Sequence, residues 1–199
     1  MANKPKPPKR YKIVTVGDGC CGKTCLQMRY ALNDFPDFVY CPTVFGAQET
    51  SIDVGGKTHD MVLWDTAGQE DYARLRSLSY HNTDVVIICF SVESQVSLLN
   101  VREKWLPEVR HYLPYVPIVL VANKIDLRKD RKTIEELMAQ NRTPVTSHDG
   151  AAMARKIRAH VYRECSALKG MGVKEVFEAA VRAALEAPPP PKRSICKLL

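Results

Sequence analysis

A chain of 199 residues, 45% of them hydrophobic, is long enough to bury one ordinary core unaided, and its seven scattered cysteines lack the pairing or spacing of a disulfide framework or zinc site. The formal charge of +7 sits entirely at the ends: Lys4, Lys6, Lys9, Arg10, Lys192, Arg193 and Lys197 equal the whole excess, and neither tail holds an acidic residue. The body is then neutral, which disfavours a basic nucleic-acid face and favours tails that meet anionic lipid or acidic partners. No apolar run approaches the ~20 residues of a membrane-spanning helix, and no signal-peptide core precedes the cysteines, so a reducing cytosolic setting is expected.

Residues 1–10 are rich in Pro and Lys without apolar periodicity and read as a disordered basic extension, so the folded body is expected over residues 11–187. The β-branched run Ile13-Val14-Thr15-Val16 predicts a buried strand. It leads into Gly17-Asp18-Gly19-Cys20-Cys21-Gly22-Lys23-Thr24, a G-x-x-x-x-G-K-T phosphate-binding pattern opening a helix. Its glycines let successive N–H groups face phosphate oxygens, with the helix dipole adding to them. Lys23 would reach the β- and γ-phosphates, and Thr24 offers a hydroxyl to Mg²⁺. Alone, the pattern is also compatible with a glycine-rich turn bearing a chance lysine.

The helix breaks at Asn33-Asp34, and residues 35–45 form a loop. Residues 48–54 and 57–64 predict a hairpin turning at Gly55-Gly56. Residues 85–91 and 117–122 are buried-strand runs, and residues 98–113 read as a helix kinked by Pro107. Thr133-Ile134-Glu135-Glu136 has capping-box spacing and predicts a short surface helix. Residues 147–157 predict a helix, 161–165 a last strand and 173–186 a closing amphipathic helix. This alternation predicts an α/β fold, a mostly parallel six-stranded sheet with helices on both faces, and ligands at the strands' carboxyl ends.

Three further motifs fall at such ends. Asp65-x-x-Gly68 supplies a carboxylate for a Mg²⁺-bound water and a backbone N–H free to approach the γ-phosphate, and Gln69 follows to orient an attacking water. Asn123-Lys124-x-Asp126 selects guanine. The Asp126 oxygens accept from its N1–H and exocyclic amine, a donor pair that adenine lacks, and the Lys124 stem covers one face of the base. Ser166-Ala167, with Leu168 next, lies where a backbone N–H meets the guanine carbonyl. Cys20-Cys21, with Cys25 one turn on, stand near Lys23 and phosphate-binding amides that favour thiolate, although small apolar packing is the favoured reading of them.

With these motifs the sequence resembles the Ras superfamily of small GTPases, and within it the Rho family, nearest the Rho group proper. The narrower likeness rests on Tyr40-x-Pro42-Thr43-Val44-Phe45, Trp64-Asp65-Thr66-Ala67-Gly68-Gln69-Glu70-Asp71-Tyr72, Lys104-Trp105, Glu164-Cys165-Ser166-Ala167 and an insert after Asp126-Leu127-Arg128. The resemblance implies the P-loop small G-protein fold with a short insert helix, and a GTP/GDP switch in which Thr43 and Gly68 engage the γ-phosphate. It gives Gln69, Lys23 and Thr43 catalytic roles, Thr24 and Thr43 as Mg²⁺ ligands, and Phe35 and Tyr40 as nucleotide contacts. No arginine lies between Phe35 and Thr43, which predicts slow turnover and a partner's arginine. The first loop is one residue longer than usual, and Gly46-Ala47-Gln48 replaces the family's acidic-Asn-aromatic run.

Cys196-Lys197-Leu198-Leu199 resembles a prenylation box whose final Leu favours geranylgeranyl, carried on the Pro-rich, basic tail 188–199. The implied partners are exchange factors, GTPase-activating proteins, a prenyl-binding dissociation inhibitor, effectors such as kinases or actin regulators, and the plasma membrane. The implied state is monomeric, without nucleic acid. Two rivals stand beside this: a constitutively GTP-bound scaffold, disfavoured by Gly19 and Gln69, and an ATP-using P-loop kinase, in conflict with Asp126.

Overall fold

The computed structural model describes residues 9–35 and 45–188, Phe45 by its backbone alone. Six strands, β1 (Tyr11–Val16), β2 (Phe45–Val54), β3 (Lys57–Thr66), β4 (Val85–Ser91), β5 (Ile118–Asn123) and β6 (Val161–Glu164), form one sheet in the order β2-β3-β1-β4-β5-β6. Only β2–β3 is antiparallel, joined at Gly55-Gly56, and every other pairing is parallel. β4 and β5 are buried at every position, which is why they read as continuous apolar runs rather than alternating ones.

Alternate side chains of the central strands feed two cores. Ile13, Ile87 and Val121 face α1 (Lys23–Leu32) and α7 (Val173–Glu186), through Leu26, Val176, Phe177 and Ala180. Val14, Ile88 and Leu120 face the other layer, through Tyr80 beyond α2 (Ala73–Ser79), Trp105 before α4 (Leu106–Tyr112), and Ala154 of α6 (Ser147–Lys156). The remaining helices are α3 (Gln95–Asn100) and the insert helix α5 (Arg131–Met138).

Two sequence expectations change in form. The expected Pro107 kink is an interruption: α3 starts at a Ser94 cap, passes into a π-helical stretch, Val101–Trp105, and resumes as α4 with Pro107 in its first turn. Proline cannot donate to the preceding turn, and a wide turn just before it absorbs the lost bond. The insert helix is capped by Asp130 rather than Thr133. The Asp130 carboxylate accepts from Thr133 N at 2.9 Å and Oγ1 at 2.7 Å, an anion on the positive helix end. α6 does carry a capping box, formed by Thr146 and Asp149. Lys9 and Arg10, ending the basic extension, pair with Asp84 and Glu49 at 2.9 and 2.8 Å.

Candidate nucleotide site

β1 lies between β3 and β4, so the chain departs in opposite directions on either side of its carboxyl end, where the phosphate loop begins. Gly22 precedes α1 at φ 87°, and a Cβ there would stand 2.4 Å from Asn123 Nδ2. Lys23 is buried, and its Nζ arches back over the loop to donate to Gly17 O and Asp18 O at 2.8 Å each. The loop thus holds its own cation over the concave face that its amides line.

Thr24, beside Lys23, donates from Oγ1 to Asp65 Oδ2 at 2.5 Å. These oxygens come from α1 and β3, and the pair brings the two expected magnesium-side groups into one place. Hard oxygen donors suit Mg²⁺, which is held by one or two protein groups and completed by phosphate and water oxygens rather than by an all-protein cage. Among the described residues no cluster of three His, Cys, Asp or Glu able to hold a metal occurs.

Gly68 packs against the same loop. A Cβ on it would stand 2.4 Å from Gly19 N, 2.5 Å from Asp18 C and 2.6 Å from Gly17 O, all backbone atoms that cannot swing aside. Gly68→Ala is therefore expected to force the 67–69 turn off the phosphate loop. Single-turnover GTP hydrolysis should fall by roughly tenfold or more, and an unchanged rate would show that this contact is not needed.

Asn123 is wholly buried and does more than its place in a base-selecting motif suggested. Its Nδ2 donates to Cys21 O and Gly22 O at 3.1 Å each, while its Oδ1 accepts from Lys124 N at 2.8 Å and Ala167 N at 3.2 Å. One amide therefore fastens the phosphate loop, the 123–126 loop and the 166–168 loop together. Lys124 sits in the left-handed region at φ 61°, an uncommon state for a residue with a Cβ, and its Nζ pairs with Glu93 at 2.5 Å. Asp126 presents a buried Oδ1 with no hydrogen-bond partner among the described residues, an acceptor suited to a donor such as a guanine N–H.

Ser166 is buried with its Oγ accepting from Lys169 N at 3.0 Å, and Arg29 of α1 donates to Ala167 O and to Leu168 O. The Arg29 guanidinium also lies 5.7 Å from the ring of half-buried Phe35, which packs on the α1–α7 core. Tyr40, Thr43 and Cys196 lie outside the described residues.

The three loop cysteines separate. Cys20 is exposed, in the left-handed region at φ 60°. Cys21 is buried, and a hydrogen bond from Cys89, reinforced by Lys23 at 3.9 Å, pulls its thiol downward against the effect of burial. Cys25 moves the opposite way, raised by burial, so the expected thiolate-favouring setting holds for Cys21 and not for Cys25.

Several residues of this region carry no motif. The Asp18 carboxylate is held by Trp105 Nε1 and Asn100 Nδ2, each at 2.7 Å, so this loop position is braced by the α3–α4 segment. Lys104-Trp105 was legible only as a family marker, and Asn100 had no signal at all. Buried Arg76 pairs with Glu108 at 2.6 Å, and Tyr80 donates to the same carboxylate at 2.6 Å. Burial alone would raise the Glu108 carboxyl, but the bonds from Arg76 and Tyr80 hold it below its ordinary value of 4.5. Because the folded value is the lower one, this pair's contribution is full above the ordinary value and is lost as pH falls through the folded one. Glu108→Gln is expected to flatten part of the loss of thermal midpoint below about pH 4.5, and melts that keep the native slope would refute it.

The sheet order and the loop clasped by lysine define a P-loop nucleotide-binding protein of the Ras type. A Ras family model matches residues 12–186. The chain is 56% identical over 177 residues to the Rho-related GTP-binding protein RhoB of Homo sapiens, and equally to those of Mus musculus and Rattus norvegicus, across 89% of this chain and 90% of each relative. The chain belongs to the Ras family and, within it, to the Rho-type small GTPases, which are GTP hydrolases.

Proposed function

We propose that this protein is a Rho-like switch that alternates between GTP and GDP, hydrolyses GTP slowly by itself, and signals to effectors at membranes, with regulation of the actin cytoskeleton as its field. The observation that carries the guanine assignment is the buried Oδ1 of Asp126, which has no hydrogen-bond partner among the described residues, in a loop that Asn123 fastens to the phosphate loop. ATP would leave that carboxylate unmatched.

In this proposal the loop amides from Gly17 to Thr24 and the Lys23 ammonium take the phosphates, Lys23 stabilising charge that develops on the γ-phosphoryl oxygens. Mg²⁺, when bound, neutralises the phosphate charge. Thr24 and Thr43 are its side-chain ligands, and Asp65 orients a water beside it. Gln69 orients the attacking water, and Asp126, Lys124 and Ala167 hold the base, with Phe35, Tyr40 and Leu168 around it. Thr43 and Gly68 are the two contacts released after hydrolysis. A partner's arginine would add about 10³–10⁵ in rate.

The GTP-binding domain is assigned to residues 11–187, flanked by the basic extension 1–10 and the tail 188–199. Geranylgeranylation at Cys196 with Lys192 and Arg193 gives a reversible hold on the cytoplasmic face of the plasma membrane, and a dissociation inhibitor shields the lipid. Among the described residues no helix is long and apolar enough to cross a membrane. Leu78, 70% exposed on α2, offers an apolar contact for exchange factors, activating proteins or effectors.

The test is to denature purified protein, identify the released nucleotide by chromatography, and then measure single-turnover GTP hydrolysis with Mg²⁺. Guanine nucleotide and a slow turnover are expected. Adenine nucleotide would overturn the guanine assignment, and rapid unaided hydrolysis would overturn the requirement for a partner's arginine.

A further inference from the structure

Arg76 has 1% of its side chain exposed, and its fork is divided between two duties. One edge grips Glu108 of α4 at both oxygens, Nε at 2.6 Å and Nη2 at 2.9 Å. From the other edge Nη1 donates to Ala67 O at 2.7 Å and Gln69 O at 3.3 Å, the carbonyls on either side of Gly68. The guanidinium also lies 4.8 Å from the Trp105 ring centre, and Trp105 Nε1 donates to Asp18 of the phosphate loop at 2.7 Å. An unbroken set of contacts therefore runs from the Gln69 turn, through Arg76 and the indole, to the loop that clasps Lys23.

A buried ion pair is a poor device for stability alone, because apolar side chains of similar volume often serve as well. What a planar five-donor fork adds is direction: it holds two carbonyls and a carboxylate at fixed angles, which a lysine ammonium cannot do. We propose that Arg76 is a positioning residue for GTP hydrolysis, fixing the backbone from Ala67 to Gln69 relative to the phosphate loop so that the Gln69 side chain meets the attacking water. Glu108 and Tyr80 anchor it, and Trp105 sets its height over Asp18. The inference rests on the role given to Gln69 in the proposed function.

A double-mutant cycle on the full chain separates the two. Native protein, Gln69→Leu, Arg76→Lys and the double variant are loaded with γ-labelled GTP and Mg²⁺. Single-turnover phosphate release is followed beside release of fluorescent GDP. Arg76→Lys is expected to slow hydrolysis about tenfold while GDP release stays within about threefold, and to add nothing in the Gln69→Leu background. A native hydrolysis rate in Arg76→Lys, or an equal loss in both backgrounds, would overturn the positioning role. A native rate in Gln69→Leu would overturn the role of Gln69 and with it this inference, by a signature of its own. Should Arg76→Lys fail to retain nucleotide, Glu108→Gln, which leaves the guanidinium in place and loosens its anchor, takes its position in the same cycle with the same two outcomes.

Discussion

Asp126→Asn is expected to exchange guanine for xanthine nucleotides. A carboxylate accepts from the N1–H and the exocyclic amine of guanine, whereas an amide brings one donor and one acceptor, a set that suits a base with a carbonyl in place of that amine. Each charge-assisted bond contributes about 1.5–3 kcal/mol, so losing the one to the amine and leaving the one to N1–H neutral should weaken GDP by roughly 10–10³. The buried Oδ1, without a partner among the described residues, is what makes this effect large, since an acceptor open to water would find a substitute. Competition of GDP and XDP against a fluorescent nucleotide measures it. Unchanged preference for GDP would mean that Asp126 does not read the base.

Lys23→Ala should act on the phosphates with the base contacts intact. The buried ammonium is held by Gly17 O and Asp18 O at 2.8 Å each, so its position over the loop is fixed by the protein itself. Removing it would discard the cation proposed to face the β- and γ-phosphates and leave two loop carbonyls without their donor. Affinity for GDP is expected to fall by on the order of 10²–10³, seen as faster release of fluorescent GDP, with hydrolysis of any bound GTP also slowed. Retention of GDP within twofold of native would remove Lys23 from the phosphate site.

The two variants draw on parts of the molecule that differ in how openly the sequence declared them. The phosphate loop was legible because its chemistry is local. The residues that curl the backbone, supply the cation and offer the hydroxyl are consecutive, from Gly17 to Thr24. The β2–β3 hairpin was legible for the same reason, since Gly55-Gly56 sits between two extended runs. Helix caps were less so: Asp130 and Thr133 both carry suitable oxygens, and only the start of α5 at Arg131 decides between them.

The bracing of the site was not legible. Asn123 could be named as part of a base-selecting motif, yet its bonds to Cys21, Gly22 and Ala167 span 102, 101 and 44 residues. Asn100 and Trp105 meet Asp18 across 82 and 87 residues. Arg76 and Glu108 each look like ordinary surface charges in the sequence, and only the fold brings Glu108 of α4 to Arg76 of α2, which it buries. The Cys21–Cys89 contact beneath the loop likewise joins residues 68 apart, and it is what separates Cys21 from Cys25.

By itself, then, the sequence determined the strands of the sheet, the phosphate loop, the motif that carries Asp126 and the family likeness, because each is written in neighbouring residues or in hydrophobic period. The tertiary structure decided which side chains hold those pieces in register. Hydrogen bonds across the sheet's carboxyl edge depend on distances that no spacing along the chain encodes, and one buried amide and one buried guanidinium, at Asn123 and Arg76, are among the groups that make them.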